Sequence, residues 1–204
     1  IVPNAKNSLG KPILLPQLMP ENSQLWDGQS DIELTCAGIE GLKYVVRAHS
    51  MTLKNGSKPS VGAPVTLSIN QVHHAAVPMP LPNGASPPFD ATFQPAGATF
   101  DPPVEVEYPN MSGLAPGALV YLMSFNHDTG EFEVMAPGVV SEDGAIIRSV
   151  AGTELRHSGW HGPGFPFRRT GRCVHPGDCP ESPPDDDASP FGFLLVESRC
   201  PALF

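Results

Sequence analysis

From Phe93 to Trp160 short alternating runs are broken by turn-forming residues about every ten positions, a rhythm that belongs to β-structure. Val104-Glu-Val-Glu-Tyr108 is the clearest case. Val104, Val106 and Tyr108 fall on one face, and Glu105 and Glu107 on the other. Ala118 to Phe125 is a fuller apolar run and reads as a central strand. Asn126-His-Asp-Thr-Gly130 reads as a hairpin loop into Glu131–Met135. Ser141-Glu-Asp-Gly144 reads as another into Ala145–Arg148.

Composition agrees with this reading. The chain holds 25 Pro and 20 Gly. Each Pro costs about 3 kcal/mol inside a helix, so a mainly helical fold is excluded. Hydrophobic residues make up 40%, enough for one core, and charged residues only 16%. Upstream, Ile32–Cys36, Leu42–Arg47 and Ala91–Gln94 add strands. Pro64–Val72 adds another, with Val65, Leu67 and Ile69 opposite Thr66, Ser68 and Asn70. The expected fold is an all-β antiparallel β-sandwich of about nine strands.

Three segments follow. Residues 1–30 form an extended arm, because Lys11 to Pro20 carries three Pro. Ile13, Leu14, Leu15, Leu18 and Met19 are too apolar to stand in water, so the arm docks on its own domain or on a neighbour. Residues 31–162 form the sandwich, with His73–Pro88 as a Pro-rich crossing between sheets. Residues 163–204 read as a Pro/Gly-rich linker-like tail. Within it, Phe191–Val196 reads as a late strand that adds to an edge or to another chain.

The net charge of −9 argues against phosphate binding and hence against nucleic acid. Arg168, Arg169 and Arg172 make the basic cluster, read as a solvated loop. No run of eighteen apolar residues spans a membrane. With Ile1 in place of an initiator Met, the sequence reads as a processed or excised fragment, from which a leader could have been removed.

Four cysteines set the compartment. Cys173 and Cys179 bracket Val-His-Pro-Gly-Asp, a short loop that brings two sulfurs together. Cys36 then pairs with Cys200 and pins the tail to the core. Four cysteines allow three connectivities, so other pairings stay open. A metal site using His175 is the rival, but C-x5-C departs from the usual zinc spacing. Disulfides imply an oxidising compartment.

Longer motifs carry a resemblance. Gly41-Leu-Lys-Tyr-Val-Val, Ala48-His-Ser, Pro78-Met-Pro-Leu-Pro82, Gln94–Phe100, Gly113-Leu-Ala-Pro-Gly117, Ser124–Gly130, Val140-Ser-Glu-Asp-Gly144 and Gly159-Trp-His161 are collinear. Together they resemble a module of very large secreted bacterial surface proteins, itself similar to the ZU-five domain of zonula-occludens proteins, ankyrins and netrin receptors. That module stands beside carboxypeptidase-regulatory-like domains and Rhs/YD or IPT/TIG repeats. The resemblance covers roughly residues 31–162. It implies a β-sandwich serving as spacer, joint or binding surface, and a fold does not fix a function.

Some ZU-five domains cleave themselves at a His-Phe-Ser motif, the His activating the Ser. Here His157-Ser158 stands at the corresponding end, without the Phe, and the scissile bond is His157–Ser158. The structural alternative has Trp160 closing the core and His161 capping its edge. His73-His74, His127-Asp128, His157 and His161 read as turn and edge residues, not metal ligands. Asp185–Asp187 reads as an acidic linker, since it lacks calcium-loop spacing. Asn55-Gly-Ser57 and Asn110-Met-Ser112 are glycosylation sequons. No serine-hydrolase, Walker, Rossmann or zincin signature appears, so no cofactor is expected. The expectation is a non-enzymatic module of an extracellular, cell-surface bacterial protein. It works as scaffold or adhesive surface and joins subunits through its terminal arms, as far as a filament. The alternative is a self-cleaving domain using Ser158 with His157.

Overall fold

The computed structural model describes residues 17–73, 77, 87–126, 129 and 131–166, with side chains of 131, 165 and 166 excepted. A single 3-10 turn, Pro20–Asn22, precedes twelve strands among these residues. They are β1 (Ser23–Trp26), β2 (Ile32–Cys36), β3 (Ile39–Val46), β4 (Met51–Thr52), β5 (Val65–Val72) and β6 (Asp90–Gln94). β7 (Thr99–Pro109), β8 (Leu119–Asn126), β9 (Glu131–Val140), β10 (Ile146–Ser149), β11 (Leu155–His157) and β12 (Trp160–Pro166) complete them. Every ladder is antiparallel, and the all-β expectation holds.

The layers are two faces of one rolled sheet. Its order is β1-β5-β6-β12-β8-β9-β10-β7-β3-β2, with β4 and β11 added beside β7. The two ends meet at a seam that no ladder closes among the described residues. Side chains stitch it instead. Asn22 accepts the Ala37 N–H at 2.8 Å, and Gln24 Nε2 donates to the Glu33 carbonyl at 2.8 Å. The result is barrel-like, with one core.

Strand β7 is shared between two ladders. Its last residues pair with β3 and β10, while its first residues pair with β4 and β11. Pro102 and Pro103 lie between its pairings with β4 and with β3 and have no N–H to donate, so on that side the strand changes partners there. Val104, Val106 and Tyr108 are fully buried, as alternation predicts. On the outer face Glu107 binds Lys43 at 3.0 Å and Arg148 at 2.8 Å across three strands. Burial raises the pKa of Glu107, but its hydrogen bonds to both cations and their charge outweigh this and hold it below the ordinary value. Arg47 likewise bridges Asp31 and Glu105.

Aromatic rings fill the interior. Tyr44 meets Phe93 edge-on at 5.3 Å, and the Tyr44 and Tyr108 hydroxyls share a hydrogen bond at 3.1 Å. Phe89 packs on Tyr108 and Phe93 stacks on Phe100. Burial pushes both phenols above their ordinary pKa, and for Tyr44 the neighbouring Tyr108 adds to the rise.

Three features differ from the sequence reading or go beyond it. β1 lies inside the segment read as an arm and pairs Ser23–Trp26 with Val65–Ser68, so the sheet starts before Asp31. Ser68 and Asn70, on the face opposite Leu67 and Ile69, are buried as well. The Met19 N–H donates to Asn70 Oδ1 at 2.9 Å, and Asn70 Nδ2 donates to Ser68 Oγ at 3.1 Å. The segment read as linker from Gly162 onward is β12, an interior strand between β6 and β8. Its glycines are what let it fit. A Cβ on Gly164 would sit 2.8 Å from the Tyr121 carbonyl oxygen, and one on Gly162 3.1 Å from that of Phe89.

Candidate functional site

The short β10 leaves a groove in the barrel wall. It reaches β9 only at Gly138–Val140 and β7 only at Glu107–Pro109. Beyond Ser149 its two neighbours part. The chain turns through Val150–Glu154, held by the Val150 N–H on the Pro137 carbonyl at 3.0 Å. It then lays β11 beside the first half of β7. Between β11 and the first half of β9 lies a groove of about 650 Å³. That size suits a specific ligand.

Both walls are strand edges. β9 pairs on one side with β8, and among the described residues its 131–136 stretch has no ladder on the other. Among the described residues β11 pairs only with β7. The walls carry the half-exposed Val134 with Met135 and Phe125, beside buried Leu155. Glu133 is held on the β9 wall by Asn126 Nδ2 and Thr129 Oγ1, each at 3.0 Å. Lys54, Glu154, Arg156 and His157 supply the remaining charged or ionisable groups.

The sequence-predicted pair sits at the end of this groove. Ser158 is buried and His157 is exposed. The Ser158 hydroxyl donates to the Pro95 carbonyl at 2.6 Å and accepts the Ala98 N–H at 2.9 Å. The Ser158 N–H donates to the Ala98 carbonyl at 3.0 Å. No hydrogen bond joins His157 to Ser158. The serine clips the 95–98 turn to the start of β12, and that is what its geometry does.

The other candidates are dispersed. His161 lies in the core, 1% exposed, edge-on to Tyr44 at 6.3 Å, while Trp160 is half-buried. His73 is exposed at the end of β5. Among the described residues no three His, Cys, Asp or Glu side chains are placed to hold a metal. Nor is any helix there long and apolar enough to cross a membrane. Cys36 is buried and carries no disulfide among the described residues; Asn22 Nδ2 donates to its Sγ at 3.7 Å. Its expected partner Cys200, the Cys173–Cys179 loop, His175, His74, His127, Asp128, the Arg168–Arg172 cluster, Asp185–Asp187 and Phe191–Val196 lie outside the described residues.

The two sequons differ. Asn55 is exposed in a turn and accepts from the Ser57 hydroxyl at 2.7 Å. Asn110 spends both amide hydrogens, on the Leu114 and Gly144 carbonyls, and so fastens two loops. Sequence alone missed the groove, because its walls lie far apart in the chain. No family model, no curated protein and no solved structure matches this chain.

Proposed function

We propose that this protein is a non-enzymatic interaction module that receives an extended segment of another chain as an added strand between β9 and β11. One observation carries the reading. The groove is bounded on both sides by strand edges with unspent backbone groups, the arrangement that strand addition uses. Main-chain hydrogen bonds supply affinity, and the alternate side chains of the guest meet Val134 and Met135 on the walls.

The extracellular, cell-surface setting belongs to the same proposal, as do the ZU-five-like resemblance and assembly through the terminal arms. The exposed Asn55 sequon and the four cysteines support the setting. Thiol titration of freshly isolated, denatured protein tests it: four free thiols count against an oxidising compartment. Strand addition is tested by amide hydrogen exchange with peptides selected from a displayed library of short random sequences. Protection of residues 131–136 and 155–157 on binding is expected. Selected peptides that leave those amides exchanging freely overturn the reading.

A further inference from the structure

We infer that the groove selects a guest strand carrying a lysine or arginine side chain, and that Glu154 is the residue that selects it. The inference rests on the strand-addition reading and adds the chemistry of the guest.

Glu154 is 8% exposed, yet it lines the groove. It precedes β11, in the turn held by Val150 and Thr153, so its backbone is fixed. Among the described residues its carboxylate makes no hydrogen bond and no ion pair, although it reaches solvent. Lys54, Arg156 and His157 line the same groove, and none of them stands within ion-pair distance of it. Glu133, also in the groove, is already engaged by Asn126 and Thr129.

A carboxylate stripped of most of its water and given no partner is costly. A cationic side chain entering with the guest would supply a charge-assisted hydrogen bond where water is already largely displaced. A guest without a cation would bury the remaining exposure of Glu154 and leave the charge uncompensated. The difference between the two guests is specificity. One lone carboxylate does not suit a metal ion, which needs several ligands.

The test pans short random displayed peptides against the full chain and measures the selected ones by calorimetry. A lysine or arginine at one fixed position is expected. Replacing it with methionine should weaken binding on the order of tenfold. Glu154→Gln should weaken the cationic peptide by a similar factor and tighten the methionine peptide, because no buried charge is then left uncompensated. Methionine peptides that bind the unaltered protein as tightly as their parents overturn the inference, whatever the fate of the variant. Selected peptides that protect residues 131–136 and 155–157 without any fixed cation also overturn it, while strand addition stands. Peptides that protect none of those amides overturn both. Binding of n-butylamine without amide protection assigns the groove to a small amine and overturns the strand guest.

Discussion

Ser158→Ala separates a structural clip from a reacting nucleophile. The hydroxyl satisfies the Ala98 N–H, which is buried, and donates to the Pro95 carbonyl. Alanine removes both contacts and adds nothing. A buried donor left without a partner costs about 1–3 kcal/mol, and the lost bond to Pro95 adds about 1 kcal/mol. The Ser158 N–H still reaches the Ala98 carbonyl, so the turn keeps one tie. A loss of about 2–4 kcal/mol is expected. For a domain of this size that lowers the melting temperature by roughly 4–16 °C. His157→Ala, at an exposed position, should change stability by less than about 0.5 kcal/mol. Urea unfolding followed by tryptophan fluorescence measures both, and the slope against urea should be unchanged. A Ser158→Ala stability within about 0.5 kcal/mol of the parent refutes the clip. Intact mass of the full-length product is read in parallel. A fragment ending at His157, abolished by Ser158→Ala, would establish self-cleavage.

Asn22→Ala should destabilise by about 1–2 kcal/mol, because the seam loses its bond to Ala37 and its buried amide; unchanged urea stability sinks the idea of a stitched seam. Gly164→Ala should cost about 1–3 kcal/mol, since the added Cβ meets the Tyr121 carbonyl and Met123, and a silent substitution would show that β12 has room to spare. Tyr44 and Tyr108 should stay un-ionised in the folded barrel. Their raised pKa values give stability that is fully present below the unfolded tyrosine value of about 10 and is lost as pH rises above it. Phenolate absorbance should therefore rise for these two only with unfolding; smooth ionisation in a folded protein contradicts their burial.

Alternation exposed the strands whose two faces meet different media. Val104 to Tyr108 is the model case, and the apolar run from Ala118 to Phe125, read as a central strand, is β8 at Leu119–Asn126, inside the sheet. Alternation failed where both faces are covered by something polar. Ser68 and Asn70 lie under the 3-10 turn and satisfy one another, a covering that the alternation of Val65 to Asn70 does not report. It failed again at β12, where Pro and Gly ordinarily mark loops. Here glycine answers the closeness of the Tyr121 and Phe89 carbonyls, a demand that only the neighbouring strands reveal. Strand β1 was hidden behind the Pro-rich stretch that precedes it. His157 and Ser158 were visible as a pair and proved to face different surroundings. The groove had no signature, because Glu154 and Val134 meet only after the sheet rolls up. A single Glu in Gly-Thr-Glu-Leu-Arg says nothing of its neighbours.

The route by which strand β7 finds its partners sets the tempo of folding. Among the described strands, turns between neighbours build only β2 with β3 and the β8-β9-β10 meander. Everything else joins across long stretches of chain: Lys43 to Glu107, Ser23 to Ser68, Thr92 to Trp160. Each such closure loses chain entropy before any contact repays it. A barrel assembled this way belongs among the slow two-state folders, on the order of milliseconds to seconds. Until β12 slides between β6 and β8, both of those strands stand open. During synthesis that interval ends late, because β12 emerges after every other described strand.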